Sequence, residues 1–323
     1  MDKNKTIYIG VIGVGYLGNF HLKQLKTIPN VLISGIYDID IKRANKIASI
    51  YKVDYLSLDK LFKNSDAVCI VTPTNTHYSI ANQALESGCH VFIEKPITND
   101  INKANRLIIK SKKINRIIQV GHIERFNPAF YNLEEMNLKP QFIESHRLSM
   151  FNQRGNDISV ILDLMIHDLD IILYFVKSNI KDIRANGIKV VSSTIDIANA
   201  RIEFENKCVA SITASRISQK NMRKMRFFEK NNYVTIDYEK NKIEEYKINS
   251  NFTNNDILIE LDGENKQNIV YTEPLIPKHN ALREELIHFI DCIKFNKQPQ
   301  VNAKNATNAL DLALQIKKII NNN

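Results

Sequence analysis

The hexapeptide Gly13-Val14-Gly15-Tyr16-Leu17-Gly18 constrains this chain more than any other stretch of it. It follows an apolar run that begins at Ile7 and precedes a segment with apolar residues at helical spacing. Three glycines so placed predict a tight strand-to-helix turn whose outward face is backbone. The chain then keeps alternating short apolar runs with helical patterns. Strands are predicted at Ile7–Gly13, Leu32–Tyr37, Ala67–Val71, Val91–Ile93 and Ile117–Val120. Helices are predicted around Tyr16–Thr27, Ile41–Ser49, Thr76–Ser87 and Ile101–Lys112. Such alternation makes a doubly wound parallel α/β sheet, and a wholly apolar strand such as Val68-Cys69-Ile70-Val71 suits a sheet covered on both faces.

The pattern changes after Gly121. Asn127-Pro128 reads as a helix start, with the amide as cap and proline in the first turn. A strand at Phe142–Met150 is followed by an apolar helix from about Ile158 to Val176. From Asp182 to Thr272 strands succeed one another, among them Ala198–Phe204, Val209–Ser215, Tyr233–Tyr238 and Ile243–Tyr246. Strands without intervening helices imply an α+β region with a large, mostly antiparallel sheet. Helices at Ala281–Phe295 and Ala303–Ile320 close the chain. The reading is a Rossmann domain over residues 1–122 and a second domain over 123–323, with helices 281–320 able to pack back toward the first.

A turn of this kind exposes the N–H groups and positive dipole end of a helix, which suits a dinucleotide pyrophosphate. Gly13 makes the turn, Gly15 admits the phosphates, Tyr16 and Leu17 begin the helix, and Gly18 packs it on the strand. Asp38 lies twenty positions beyond Gly18, at the end of the second strand. A carboxylate there accepts from the ribose hydroxyls and repels a 2′-phosphate, which favours NAD over NADP. Lys42 and Arg43 pull the other way, since a nearby cation accommodates a phosphate. Thr72 and Pro73 follow the third strand, where sheet ligands collect, and Asn75 or Thr76 also serves to cap the next helix.

Two further sets of residues carry chemistry. Glu94-Lys95-Pro96 ends the fourth strand; a lysine there can stabilise a substrate oxyanion with Glu94 holding its ammonium, or the pair can be a surface ion pair before a turn. In the apolar helix, Asp163, His167 and Asp170 differ by four and three positions and form one stripe, with Asp168 beside it. A carboxylate one turn before an imidazole orients a general base, and the alternative is a buried structural network. Asp-x-x-x-His offers too few ligands for a metal.

These motifs together resemble the Gfo/Idh/MocA oxidoreductases, the family of glucose–fructose oxidoreductase and inositol dehydrogenase. The resemblance rests on Gly13–Gly18, Thr72-Pro73 with His77, Glu94-Lys95-Pro96, Asp163-x-x-x-His167 and, loosely, Pro299-Gln300-Val301 with the last helix. It implies that Lys95, Asp163 and His167 are catalytic, with histidine as the base, and that His77, Glu94 and Lys95 join the cofactor contacts. It also implies a second domain that binds substrate and pairs subunits, as a homodimer or homotetramer. Met165 departs from the glycines common within that helix. Gly121-His122-Ile123-Glu124-Arg125-Phe126-Asn127-Pro128, Asp163 through Asp168, and Ser215-Arg216-Ile217 through Lys224-Met225-Arg226 resemble a narrower group, the UDP-N-acetylglucosamine 3-dehydrogenases. On that resemblance Lys95, Arg125, Phe126, Asn127, Arg154, Asp163, His167 and Arg216 are expected to meet substrate. Arg216, Arg223 and Arg226 either meet a diphosphate or are solvated cations.

The expected activity is NAD-dependent oxidation of a secondary sugar hydroxyl, with a nucleotide sugar as substrate. A free-polyol dehydrogenase and a non-catalytic NAD-binding regulator are the alternatives. A net charge of +9 fits an anionic substrate or simply lysines scattered over solvated faces; without a basic block, nucleic acid is not expected. The four cysteines form no C-x-x-C pair, and neither a signal peptide nor a membrane-length apolar run is visible, so a cytoplasmic enzyme without metal is expected.

Overall fold

A computed structural model of the chain describes residues 5–151, 158–248, 257–260 and 268–322. The chain divides into two compact units: residues 1–126 with 279–310, and residues 127–278 with 311–323. The division thus falls after Phe126, and the first unit recruits sequence from near the chain's end.

In the first unit the elements run β1 (Ile7–Ile12), α1 (Tyr16–Leu25), β2 (Val31–Tyr37), α2 (Ile41–Tyr51), α3 (Leu58–Lys63), β3 (Ala67–Ile70), α4 (Thr74–Glu86), β4 (His90–Glu94), α5 (Ile101–Lys113) and β5 (Ile118–Gly121). The five strands pair in parallel in the order β2-β1-β3-β4-β5. Strand β3 is buried at every position, as its unbroken apolar run demands of a sheet covered on both faces. The short α3 escaped the sequence reading because two turns of helix leave too little periodicity to see.

In the second unit, α6 (Pro128–Glu135) opens on Asn127, whose side chain accepts from the Ala129 N–H, with proline in the first turn as predicted. Strand β6 (Phe142–Leu148) then leads to the apolar helix, which differs from expectation. Residues Ile161–Met165 form a π-helical turn, and only Ile166–Val176 (α7) is α-helical. The sheet is completed by β7 (Ile180–Ile188), β8 (Ile197–Phe204), β9 (Val209–Ser215), β10 (Met222–Glu229), β11 (Asn232–Asp237), β12 (Lys242–Ile248), β13 (Ile257–Glu260) and β14 (Asn268–Thr272). Among the described residues it has nine strands in the order β13-β14-β12-β11-β10-β6-β9-β8-β7, antiparallel throughout except where β6 pairs with β9. One face carries Ile143, Met225, Phe227, Val234 and Ile236, all 0% exposed. On the other, half-buried rings step across the strands from Phe142 to Phe228, Tyr233, Tyr246 and Tyr271, with centroids 5.6, 4.9, 5.4 and 5.1 Å apart.

Helix α8 (Ala281–Phe295) belongs to the first unit, where Leu286, Phe289 and Ile290 enter one core cluster with Ile7, Ile9 and Phe92. Gln119 on β5 donates to the Glu285 carbonyl at 2.9 Å. Helix α9 (Ala303–Asn322) contributes to both units. No helix among the described residues is long and apolar enough to cross a membrane.

Candidate active site

The glycine turn sits between β1 and α1, and each glycine has a separable reason. Gly13 has φ +85°, and a Cβ there would meet the Val71 carbonyl oxygen at 2.4 Å. A Cβ on Gly18 would lie 1.9 Å from the Gly13 oxygen, so this residue is glycine for helix–turn contact. Gly15 differs: the nearest atom to an added Cβ is Arg43 Nη1 at 3.7 Å. Nothing in the protein crowds Gly15, and its bareness serves what approaches from outside.

Gly13 and Gly15 border a cavity of about 610 Å³ that also meets Asp38, Arg43, Thr72 and Pro73. Asp38 is fixed there by two amides, Val14 N–H to Oδ2 and Asp40 N–H to Oδ1, each at 2.9 Å. Arg43 reaches Asp38 Oδ2 at 3.4 Å and Asp40 Oδ2 at 3.0 Å, so the nearby cation is already shared between two carboxylates. Ile39, Leu58 and Ile80 give the cavity an apolar wall that the sequence reading did not identify. Its one local signal is Ile39, an apolar residue 89% exposed immediately after the aspartate. The bare Gly15, the donors at the start of α1 and the fixed Asp38 together fit a dinucleotide.

Other expected contacts fall around this turn. Tyr16 and Leu17 begin α1, 69% and 42% exposed. His77, expected to touch the cofactor, is buried, 1% exposed. Its ring nitrogens lie 2.9 Å from the Pro96 carbonyl and 2.8 Å from that of Thr72, so it ties together the loops after β3 and β4. Burial pushes its pKa below the usual imidazole value, against the pull of those carbonyls. Lys95 follows β4 and precedes a cis peptide bond to Pro96. Glu94 accepts from His21 Nε2 at 2.8 Å. Burial works to raise the Glu94 pKa, but the His21 bond and the charges of Lys95 and His77 hold it below the carboxylate range. His21 is a partner the sequence reading missed, lying 73 positions from Glu94.

In the second unit, Asp163 lies in the π-helical turn and His167 in the first turn of α7, both half-buried. Asp168 and Asp170, on the same helix, are each 2% exposed. The four polar residues therefore split into a half-buried pair and a buried pair. Asp168 belongs to the scaffold: Arg147 on β6 meets it through two 2.9 Å bonds, Nε to Oδ2 and Nη2 to Oδ1. π-helical turns recur at functional sites because one extra residue re-aims the side chains around it.

Four of the residues expected to meet substrate are buried. Arg125 is 1% and Phe126 0% exposed, and Phe126 packs on the His288 ring at 5.3 Å. Asn127 spends its side chain capping α6. Arg216 is 5% exposed, donates to the Ile158 carbonyl, and lies 3.7 Å from Asp196. Arg216 thus anchors the segment leading into the Asp163 turn, because a buried guanidinium needs a carboxylate and carbonyls around it. Asp196 is itself held by the Val190, Val191 and Ser192 amides at 2.7–2.9 Å. Burial works to raise its pKa, but the Ser192 hydroxyl and those amides keep it far below the usual carboxylate range. Of the other two arginines, Arg226 pairs with Glu144 at 2.8 Å and Arg223 is exposed. Arg154 lies outside the described residues. Among the described residues no group of three or more His, Cys, Asp or Glu is arranged to hold a metal ion.

Residues 7–122 match the oxidoreductase family GFO/IDH/MocA with its NAD-binding Rossmann fold, and residues 121–244 match the GFO/IDH/MocA C-terminal domain. A UDP-N-acetylglucosamine 3-dehydrogenase from Acidithiobacillus ferrooxidans is 38% identical over 239 residues, 73% of this chain and 76% of its own length. A solved structure of that enzyme from the same organism superposes over 98% of each chain, with a TM-score of 0.88 and 32% identity. The scyllo-inositol 2-dehydrogenase (NAD(+)) of Bacillus subtilis is 29% identical over 64% of this chain and 67% of its own. The chain belongs to the Gfo/Idh/MocA oxidoreductases and works with a nicotinamide cofactor.

Proposed function

We propose that this enzyme oxidises the 3-hydroxyl of a nucleotide-linked sugar, UDP-N-acetylglucosamine, with NAD as acceptor. The observation that carries the reading is the likeness to a UDP-N-acetylglucosamine 3-dehydrogenase over 98% of both chains. A bound nicotinamide supplies the acceptor for hydride. His167 takes the hydroxyl proton, and Asp163, one turn earlier, orients the ring. The Lys95 ammonium stabilises negative charge as it develops on the substrate oxygen. The partial exposure of Asp163 and His167, where Asp168 and Asp170 on the same helix are buried, supports their part, and the position of Lys95 directly after β4 supports its own.

NAD is favoured over NADP because Asp38 is locked at the end of β2 and Asp40 stands two residues on, so a 2′-phosphate would meet two carboxylates. The ring row on the open sheet face supports a homodimer or homotetramer with that face covered. Four buried free cysteines fit a reducing cytoplasm. The test is nicotinamide absorbance in the presence of UDP-sugars and free inositols. Reduction of NAD with UDP-N-acetylglucosamine is expected; reaction with free polyols alone overturns the proposal.

A further inference from the structure

We propose that His21 is a positioning residue for Lys95, acting through Glu94, so that the helix opening at the glycine turn also sets the lysine. This rests on the reading that Lys95 stabilises the substrate oxygen.

His21 is 0% exposed and sits on α1, one turn beyond Gly18. Its Nε2 lies 2.8 Å from Glu94 Oε1. Its Nδ1 is buried and has no hydrogen-bond partner among the described residues. A carboxylate is only an acceptor, so the proton between them is on Nε2, which donates to Glu94. The far side of the carboxylate is closed by the bare Cα of Gly121, where a Cβ would come within 2.9 Å of Oε2. Glu94 is therefore gripped on both sides, by a ring from α1 and by the backbone of β5.

The residue on the other side of Lys95 is gripped as well. The Pro96 carbonyl lies 2.9 Å from His77 on α4, which also reaches the Thr72 carbonyl beside the cofactor cavity. Lys95 thus stands between two residues clasped by buried histidines, each on a helix that opens at a cavity-bordering turn. A surface ion pair before a turn needs neither clasp. The titratable groups facing Glu94 are His21 from α1, His77 from α4, Cys69 from β3 and Lys95 next in sequence. Without the His21 donor, burial acts on Glu94 with less opposition and its pKa rises.

The experiment compares wild type with His21→Leu, His21→Gln and Lys95→Met. It measures turnover of UDP-N-acetylglucosamine against pH, NADH affinity by fluorescence, and amide hydrogen exchange over residues 93–98. For His21→Leu we expect kcat to fall about 10²-fold, the cost of misplacing a reacting group by an ångström. The acid limb of its kcat profile moves to higher pH, residues 93–98 exchange faster, and NADH affinity stays near wild type. His21→Gln, whose amide donates where Nε2 did, recovers most of the loss. Should the leucine variant not fold, Glu94→Gln decides: wild-type exchange with a lost acid limb is expected.

Wild-type kcat and exchange in His21→Leu overturn the proposal, as does an equal loss in the Leu and Gln variants without faster exchange. Wild-type turnover in Lys95→Met overturns the role given to Lys95 instead. Exchange and NADH binding decide the clasp even if UDP-N-acetylglucosamine is not the substrate.

Discussion

Replacing Gly15 or Gly18 with alanine separates a glycine kept for a ligand from one kept for the fold. At Gly15 the new methyl meets nothing nearer than 3.7 Å. The backbone there, φ −66° and ψ −156°, does not need the positive φ that favours glycine. Folding stability should hold or rise by about 0.4–1 kcal/mol, because the unfolded chain loses freedom. Binding should suffer, since the methyl occupies the space into which a pyrophosphate must come to reach the amides at the start of α1. A hydrogen bond to a charged group contributes about 1.5–3 kcal/mol. Losing one such bond weakens NADH binding by about 10- to 150-fold. At Gly18 the added Cβ stands 1.9 Å from the Gly13 carbonyl, so the turn must open, and both stability and affinity should fall. Thermal melts with NADH fluorescence titrations on the two variants read both quantities. A Gly15→Ala protein that binds NADH like wild type, or that melts as early as Gly18→Ala, refutes the argument.

Other expectations are as direct. His167→Ala should lower kcat by about 10²- to 10⁴-fold with NADH affinity intact, and stopped assays with titrations check this. Arg147→Met leaves Asp168 charged and buried, at a cost of about 3–5 kcal/mol, and adding Asp168→Leu should restore most of it; urea midpoints decide. Burial, with the Arg116 guanidinium, pushes His90 down to about 4, while its Nδ1 accepts from the Ile117 N–H. The unfolded chain takes up that proton first, near pH 6.5, so stability falls as pH drops from about 6.5 to about 4. Urea melts of His90→Asn, which keeps an acceptor but does not titrate there, should show a shallower fall.

The parts of the fold that local pattern can express were legible. The Rossmann strands, the Asn127 cap and the span Ala281–Phe295 follow from period and punctuation, and the structure has them within a few residues. A π-helical turn is invisible to that reasoning, because one extra residue changes no composition and barely disturbs a run that is apolar nearly all round. Motif reading singled out Lys95, Asp163 and His167, but could not separate half-buried from buried polar residues on one helix; that needs the partner strand bearing Arg147. The burial of Arg125 and Arg216 was hidden for the same reason. An arginine in a motif looks alike whether it faces a ligand or a carboxylate across the core. His21 escaped notice because its partner, Glu94, lies on a strand 73 positions away.

The first unit is discontinuous in sequence, and this has a consequence for how the protein is made. Its core cluster needs Leu282, Leu286, Phe289 and Ile290 beside Ile7, Ile9 and Phe92. A nascent chain that has emerged only as far as Gly121 holds all five parallel strands yet leaves the seat of α8 vacant. That apolar surface stays wet while the strands of the second sheet are synthesised, so the unit that binds the dinucleotide begins first yet cannot close its core until most of the other unit has been made.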